Sequence, residues 1–388
     1  MKLRKPLRLI GAVNAVFLLA LVQFVFNPFG LGPEPGSVLG PDFFETTVKN
    51  MKDVELLVDG QEAFGAVLEC LDSARESIHI QTYIWKDDET GRTVVEKLKA
   101  AADRGVKVTV NKDLLGTVFE LGDMLRGRPS PVFTRSGLKD YPNIAVNTQL
   151  LADNDHSKYF IIDHEILIFG GMNIADEYHF QWHDYMGLIR GRERVALFES
   201  RVLRGNPWPP GLAAVVAVND RHATEIRTAL REIIDHARER IVVQHAYFSD
   251  SIIIEALLRA AARRVNVDVI LPREPDTHGY ANMVTVNRLL NSEHRERIRI
   301  FLYPGMSHAK VLLTDGEIVA VGSANLTPRS MLTSKELTLF VHGKRDAPFI
   351  RKLREQLDRD LEKSTEVRES FRLSIADRIK AVVGKFVW

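Results

Sequence analysis

Apolar residues first form one nearly unbroken block and then fall into short runs separated by turn-forming residues. The block runs from Leu9 to Phe26, interrupted only by Asn14 and Gln23, behind Lys2, Arg4, Lys5 and Arg8 and ahead of Asn27, Pro28 and Gly30. About 20 residues cross roughly 30 Å of hydrocarbon, so the block sits near the lower limit for a membrane span. Val25, Phe26 and Asn27 are poor cleavage residues, which favours an uncleaved anchor over a cleaved signal peptide and leaves a buried core helix a distant third. All four early cations precede the block and none follows until Lys49, an asymmetry that predicts a cytoplasmic N-terminus with the remaining chain outside the cytoplasm, on a bacterial inner membrane.

Beyond a linker over 28–49, rich in Pro and Gly up to 42, the pattern repeats itself. Ala74-Arg75-Glu76-Ser77-Ile78-His79-Ile80-Gln81 returns as Ala237-Arg238-Glu239-Arg240-Ile241-Val242-Val243-Gln244, an offset of 163. Each copy runs on into a helical pattern and a second apolar strand, Val94 to Arg104 then Val106 to Val110, and Ile252 to Arg264 then Val265 to Val269. Strand, helix and strand in that order make a β-α-β unit and imply parallel strands covered by helices. The expected fold is α/β: two pseudo-symmetric halves, each a mixed, largely parallel sheet flanked by helices, behind one N-terminal transmembrane helix. The divisions are an anchor over 1–27, halves over 50–204 and 212–345 joined by the Gly205 to Gly211 connector, and a helical extension over 346–388.

Composition narrows the picture little. The chain has 388 residues, 45% hydrophobic and 27% charged, which suits a large buried core and excludes disordered and fibrous classes. A formal charge of +1 gives no whole-molecule reason to bind nucleic acid, and Cys70 alone excludes an intrachain disulfide, a four-cysteine zinc site and a Cys-x-x-Cys redox centre.

The repeat carries the candidate chemistry. His156, Lys158 and Asp163 have the spacing of His308, Lys310 and Asp315, an offset of 152 that also relates Gly170 to Gly322, Asn173 to Asn325 and Asp184 to Glu336. Two such matches in register inside a repeat are not accidental. Apolar runs on both sides of Asp163 and of Asp315 predict β-hairpins with the Asp at the turn. The His and Lys of each motif, two apart on a strand, project from one face. An ammonium beside an imidazole suits a phosphate, the amine neutralising oxygens while the ring attacks phosphorus or moves a proton. The Asp has the opposite parity and is expected to fix the turn or bind backbone amides.

These residues resemble the phospholipase D superfamily, with its duplicated His-Lys-Asp motifs. The resemblance covers roughly residues 50–345. Gly170-Gly171-Met172-Asn173, Trp182-His183-Asp184-Tyr185 and Gln81-Thr82-Tyr83-Ile84-Trp85 look most like bacterial cardiolipin synthases, although many of those carry two hydrophobic segments at the start. It implies that both motifs meet in one site needing no metal or other cofactor, where one His forms a phosphohistidine and the other protonates the leaving alcohol. Carried over, the catalytic set is His156, Lys158, Asp163, His308, Lys310 and Asp315, with His156 favoured as nucleophile and His308 as acid/base. Lys158, Lys310, Asn173 and Asn325 would hold the nonbridging oxygens, and Asp184 and Glu336 would hydrogen-bond and orient the imidazoles.

Other residues receive structural readings. His183 is expected in the core or at its rim, and His79, His164, His179 and His245 are structural by default. Asp87, Asp88 and Glu89 read as the solvated start of a helix, and Trp208 as packing or interfacial. Gly116 to Asp155, with Arg126, Arg128, Arg135 and Lys139, is expected to form part of the entrance. Ile375, Ile379, Val382, Val383 and Phe386, with Arg372, Arg378, Lys380 and Lys385, fit a helix on an anionic membrane surface or one packed on the domain. The leading function is a membrane-anchored phosphatidyltransferase acting on phosphatidylglycerol as donor and acceptor. The alternatives are a phospholipase D or tethered nuclease using water, nucleic acid being a partner only there, and a non-catalytic lipid-binding protein. Two motifs in one chain make a monomer sufficient to complete the site.

Overall fold

The computed structural model describes residues 36–387 apart from 49–50, 126, 128, 135, 150–153, 221–222 and 278. The expected anchor lies outside the described residues, and among these no helix is long and apolar enough to cross a membrane.

Helix α1 (Gly40–Glu45) precedes the first half, which contains β1 (Val54–Val58), α2 (Asp59–Ser73), β2 (Ser77–Thr82), α3 (Glu89–Asp103), β3 (Lys107–Asp113), α4 (Leu114–Leu125), β4 (Ile144–Gln149), β5 (Tyr159–Ile162), β6 (Ile166–Gly170), β7 (Tyr185–Arg190) and α5 (Arg192–Val202). The second half repeats the plan with β8 (Ala214–Asn219), α6 (Glu225–His236), β9 (Arg240–His245), α7 (Ser251–Ala262), β10 (Asn266–Pro272), α8 (Gly279–Leu290), β11 (Ile298–Tyr303), β12 (Lys310–Thr314), β13 (Ile318–Gly322), α9 (Pro328–Leu332) and β14 (Glu336–His342). The chain continues as α10 (Pro348–Lys363), β15 (Thr365–Val367) and α11 (Ile375–Val387).

The sheets run β1-β7-β6-β5-β2-β3-β4 and β15-β11-β10-β9-β12-β13-β14-β8. Strands β2, β3 and β4, like β9, β10 and β11, are parallel, as the β-α-β pattern requires. All remaining pairs are antiparallel, so the sheets are mixed but not largely parallel: each motif folds as a hairpin of two antiparallel strands, whose first strand also joins β2 or β9 antiparallel. The inner faces pack on one another. Tyr159, Ile161, Leu167 and Phe169 of the first sheet share a core with Val311, Leu313, Val319, Val321, Leu337 and Leu339 of the second. The outer faces carry the helices in two further cores.

Two segments depart from the expected divisions. Within the linker, Phe43 of α1 is fully buried in the second half's core, and the backbone N–H groups of Val38 and Leu39 donate to Glu232. The expected extension over 346–388 begins with α10, whose Phe349, Ile350, Leu353 and Leu357 complete the core between the sheets, as an amphipathic helix with that apolar stripe must. Only α11 is peripheral. It packs on α8 and α9, with Ala381 buried and Ile375 and Ile379 exposed.

Candidate active site

Parallel strands end at the site. Thr82 closes β2 with Tyr83 just beyond it, and His245 closes β9 with Ala246 just beyond it, so the edge where ligands bind in open α/β sheets is formed twice and brought together at the join of the two halves. The backbone stitches that join symmetrically. His156 N–H donates to Lys335 C=O at 2.9 Å, while His308 N–H donates to His183 C=O at 2.7 Å and His183 N–H to Met306 C=O at 3.2 Å.

Each imidazole takes its carboxylate from the other half. His156 Nδ1–H donates to Glu336 Oε1 at 3.0 Å, and His308 Nδ1–H donates to Asp184 Oδ2 at 2.7 Å. With Nδ1 given to the carboxylate, Nε2 is the remaining nitrogen of each ring, and that of His308 accepts from Lys310 Nζ at 3.1 Å. Glu336, His308 and Asp184 are buried together with Lys158 and Lys310, whose Nζ groups donate to the carbonyls of His156 and His308, while the His156 side chain stays 17% exposed. The Tyr83 ring meets His156 edge-on at 4.8 Å, and Tyr178 and Trp182 flank His308 at 5.1 and 5.7 Å.

The two pairs differ electrostatically. Glu336 also accepts from the hydroxyls of Ser323 at 2.6 Å and Ser330 at 2.8 Å. Burial alone would raise its pKa, but His156, Lys158 and Ser323 hold it below the usual value. Among the described residues Asp184 has only His308 and the Tyr185 N–H at 2.8 Å, and burial lifts it to about 7 against the opposing pull of Lys310. The sequence supports the difference: Gly171 stands where the second half has Ser323, and a Cβ there would come 2.5 Å from Asp184 Oδ2. Burial lowers His156 to about 4 and His308 well below its ordinary value. Burial likewise lowers Lys158 to about 7 and Lys310 to about 8, the carboxylates opposing it. A phosphodiester among these groups would raise all four, because an anion stabilises each protonated form.

Asn173 and Asn325 are buried at the same site. Asn173 accepts from Ile84 N–H at 3.0 Å and donates to the Tyr178 hydroxyl at 2.8 Å, while Asn325 Oδ1 has no partner among the described residues. Asp163 and Asp315 do not join the others. They sit at the far ends of β5 and β12 with φ 53°, each carboxylate accepting three backbone N–H groups: Arg75, Glu76 and Ser77 for one, Arg238, Glu239 and Arg240 for the other. A strand rises about 3.3 Å per residue, which separates them from the lysines by roughly 15 Å and corrects their inclusion in the catalytic set.

His183 lies in the core, as expected, but with partners that the sequence does not announce. It is 3% exposed, with Nδ1 2.6 Å from Asp59 and Nε2 2.9 Å from the fully buried Asp360. Burial would lower its pKa, but those carboxylates raise it to about 9, making it a buried imidazolium that ties α10 to the join. No local pattern announces Asp360, which reads as one more polar position on an amphipathic helix. Asp88 is likewise not solvated: it caps α3 through Gly91 N–H at 2.9 Å and is buried. Among the described residues no His, Cys, Asp and Glu group could hold a metal. Trp208 packs on two of the cores and donates to Ala214 C=O. His245 is buried with Nδ1 unpartnered among the described residues, and Arg126, Arg128 and Arg135 of the expected entrance lie outside them.

Comparison with known proteins identifies the family. The family model described as "Cardiolipin synthase, PLD-like domain" matches residues 67–204 and 230–361, one match per half. The cardiolipin synthase of Clostridium perfringens strain 13 is 28% identical over 381 residues, covering 88% of this chain and 78% of that protein. The cardiolipin synthase of Listeria welshimeri is 28% identical over 347 residues, covering 81% and 70%. Among solved structures, the phosphatidylserine synthase of Haemophilus influenzae superposes with a TM-score of 0.67 at 12% identity, covering 88% of this chain and 94% of that one. The polyphosphate kinase of Porphyromonas gingivalis gives 0.56 at 17% identity, covering 92% and 57%.

Proposed function

Because the chain belongs to the family of cardiolipin synthases with phospholipase D-like domains, and is accordingly a phosphatidyltransferase of the phospholipase D type, we propose that it joins two phosphatidylglycerol molecules at a membrane surface through a phosphohistidine. The observation that carries this reading is the exchanged pair of His–carboxylate couples, both carboxylates buried, beside two buried lysines.

His156, kept neutral by burial and oriented by an ionised Glu336, is the nucleophile. Its Nε2 forms a bond to phosphorus as the bond from phosphorus to the glycerol oxygen breaks. The proton that oxygen needs comes from the His308–Asp184 couple. With Asp184 lifted to about 7, the couple as a unit holds a proton near neutrality and can pass it through His308 Nε2. Glycerol leaves. The hydroxyl of a second phosphatidylglycerol then gives its proton to His308 while its oxygen replaces His156 on phosphorus, releasing the product and both imidazoles. Lys158, Lys310, Asn173 and Asn325 hold the nonbridging oxygens. The N-terminal apolar block anchors the chain, placing the site outside the cytoplasm and confining it to the surface where its substrate is concentrated.

The test uses detergent-purified full-length protein with vesicles of labelled phosphatidylglycerol in excess chelator, beside His156→Ala and His308→Ala. Cardiolipin and glycerol from wild type alone, with label bound covalently to His308→Ala, is the expected result. Phosphatidate as the sole product would replace the transferase with a hydrolase, and label retained by His156→Ala would reverse the assignment of the histidines.

A further inference from the structure

The two halves are alike around phosphorus and unlike beside it. Ile84 and Tyr247 occupy equivalent places, 163 residues apart. Ile84 C=O accepts from Ile174 N–H at 3.1 Å, next to Asn173, and Tyr247 C=O accepts from Leu326 N–H at 3.1 Å, next to Asn325. Ala246 N–H donates to Ala309 C=O at 3.0 Å, which pins Tyr247 to the second motif. In the first half this position is apolar. In the second it carries a phenol whose O–H donates to Asp276 and accepts from the Thr277 hydroxyl at 3.0 Å.

Asp276 lies on the segment between β10 and α8, on the strand-end edge where the site opens, and it is exposed while Tyr247 is buried. The buried phenol therefore presents a carboxylate to solvent. Tyr247, Met306 and Trp182 pack as one small apolar cluster, and Trp182 is the ring 5.7 Å from His308. Asp276 and the Lys310 ammonium each act on the other's titration, which places this carboxylate within electrostatic reach of Lys310. A carboxylate there repels a phosphate oxygen and accepts hydrogen bonds from hydroxyl groups.

From this arrangement we infer that Asp276, Tyr247 and Thr277 form the subsite for the hydroxyl-bearing alcohol on the His308 side, holding the free hydroxyls of a glycerol head group while its reacting oxygen exchanges a proton with His308. The inference rests on the phosphatidyltransferase reading and adds to it a source of alcohol preference. In a glycerol unit engaged at phosphorus through a terminal oxygen, one free hydroxyl is on the adjacent carbon and the other one carbon beyond, and either can donate to the carboxylate. Ethanol has no hydroxyl to offer it.

The experiment sets two acceptors against each other. Full-length protein is given phosphatidylglycerol vesicles with labelled glycerol and ethanol together, and labelled phosphatidylglycerol is compared with phosphatidylethanol. Both arise from one covalent intermediate, so their ratio is independent of how fast that intermediate forms. Asp276→Ala is expected to lower the glycerol-to-ethanol ratio about ten-fold, the loss of a charge-assisted hydrogen bond, and Tyr247→Phe to lower it less, since the carboxylate remains. A ratio unchanged in Asp276→Ala overturns the subsite. So does a run with ethanolamine as acceptor in which that variant loses ethanolamine transfer and keeps glycerol transfer, since the carboxylate would then serve an ammonium. A wild type that transfers to no alcohol overturns the phosphatidyltransferase reading and the subsite with it.

Discussion

Replacing His183 by Gln tests whether the join between the halves is held by a buried charge. His183 sits between Asp59 and Asp360, and its pKa is raised to about 9 from an ordinary 6.5. A raised folded-state value means that the imidazolium stabilises the fold fully below the unfolded value and loses that contribution as pH climbs through the folded one. At 1.36 kcal/mol per unit the stabilisation is about 3 kcal/mol near pH 6, declines between about 6.5 and 9, and is nearly gone at pH 9.5. Asp360 is held low by the same contacts, so its shift is not added. For a chain of this size, about 1 kcal/mol corresponds to roughly 1 °C in Tm, so the gap between wild type and variant should shrink by about 3–4 °C from pH 6 to pH 9.5. Comparing the two proteins at each pH removes the titrations they share, those of Asp184 and the site lysines among them. Thermal unfolding followed by intrinsic fluorescence in detergent reads the gap directly. A gap that is constant across that range, or that widens toward alkaline pH, refutes the charged imidazolium.

Glu336→Gln should lower kcat by about 10²- to 10⁴-fold while changing KM for phosphatidylglycerol only a few-fold, because the amide cannot stabilise the charge that develops on His156; steady-state kinetics on vesicles check it. Asp163→Ala and Asp315→Ala should each cost about 1–3 kcal/mol of stability, from the backbone N–H groups they leave without a carboxylate, and should leave kcat per folded molecule at the wild-type value. Urea unfolding and initial rates on the same preparations separate those effects, and a fall in kcat without a loss of stability would return the two aspartates to the chemistry.

Much of the site was legible because it is built from local patterns repeated at a constant offset. The hairpins follow from apolar runs around Asp163 and Asp315, and the parity that turns the aspartates away from the lysines predicts the backbone contacts they make. The pairing of carboxylates was not legible. Asp184 and Glu336 stand at the same distance from their own histidines, and nothing in that spacing says that each reaches the other half's ring. The same limit hid Asp360, which lies 177 residues from His183 along the chain and meets it only when α10 docks. The β-α-β pattern gave too much weight to parallel strands, because each hairpin, read as a local motif, also adds antiparallel strands to the sheet.

Under the proposed mechanism, the exchange of carboxylates makes catalysis a property of docking. A shift of the two sheets by an ångström or so lengthens both imidazole–carboxylate bonds together, so neither motif can stay armed while the other fails. Covalent continuity through the 205–211 connector matters less than contact. Two separately expressed fragments, divided there, would each carry a complete motif and an imidazole lacking its acid. Activity would return only with reassociation, and would rise with the product of the fragment concentrations.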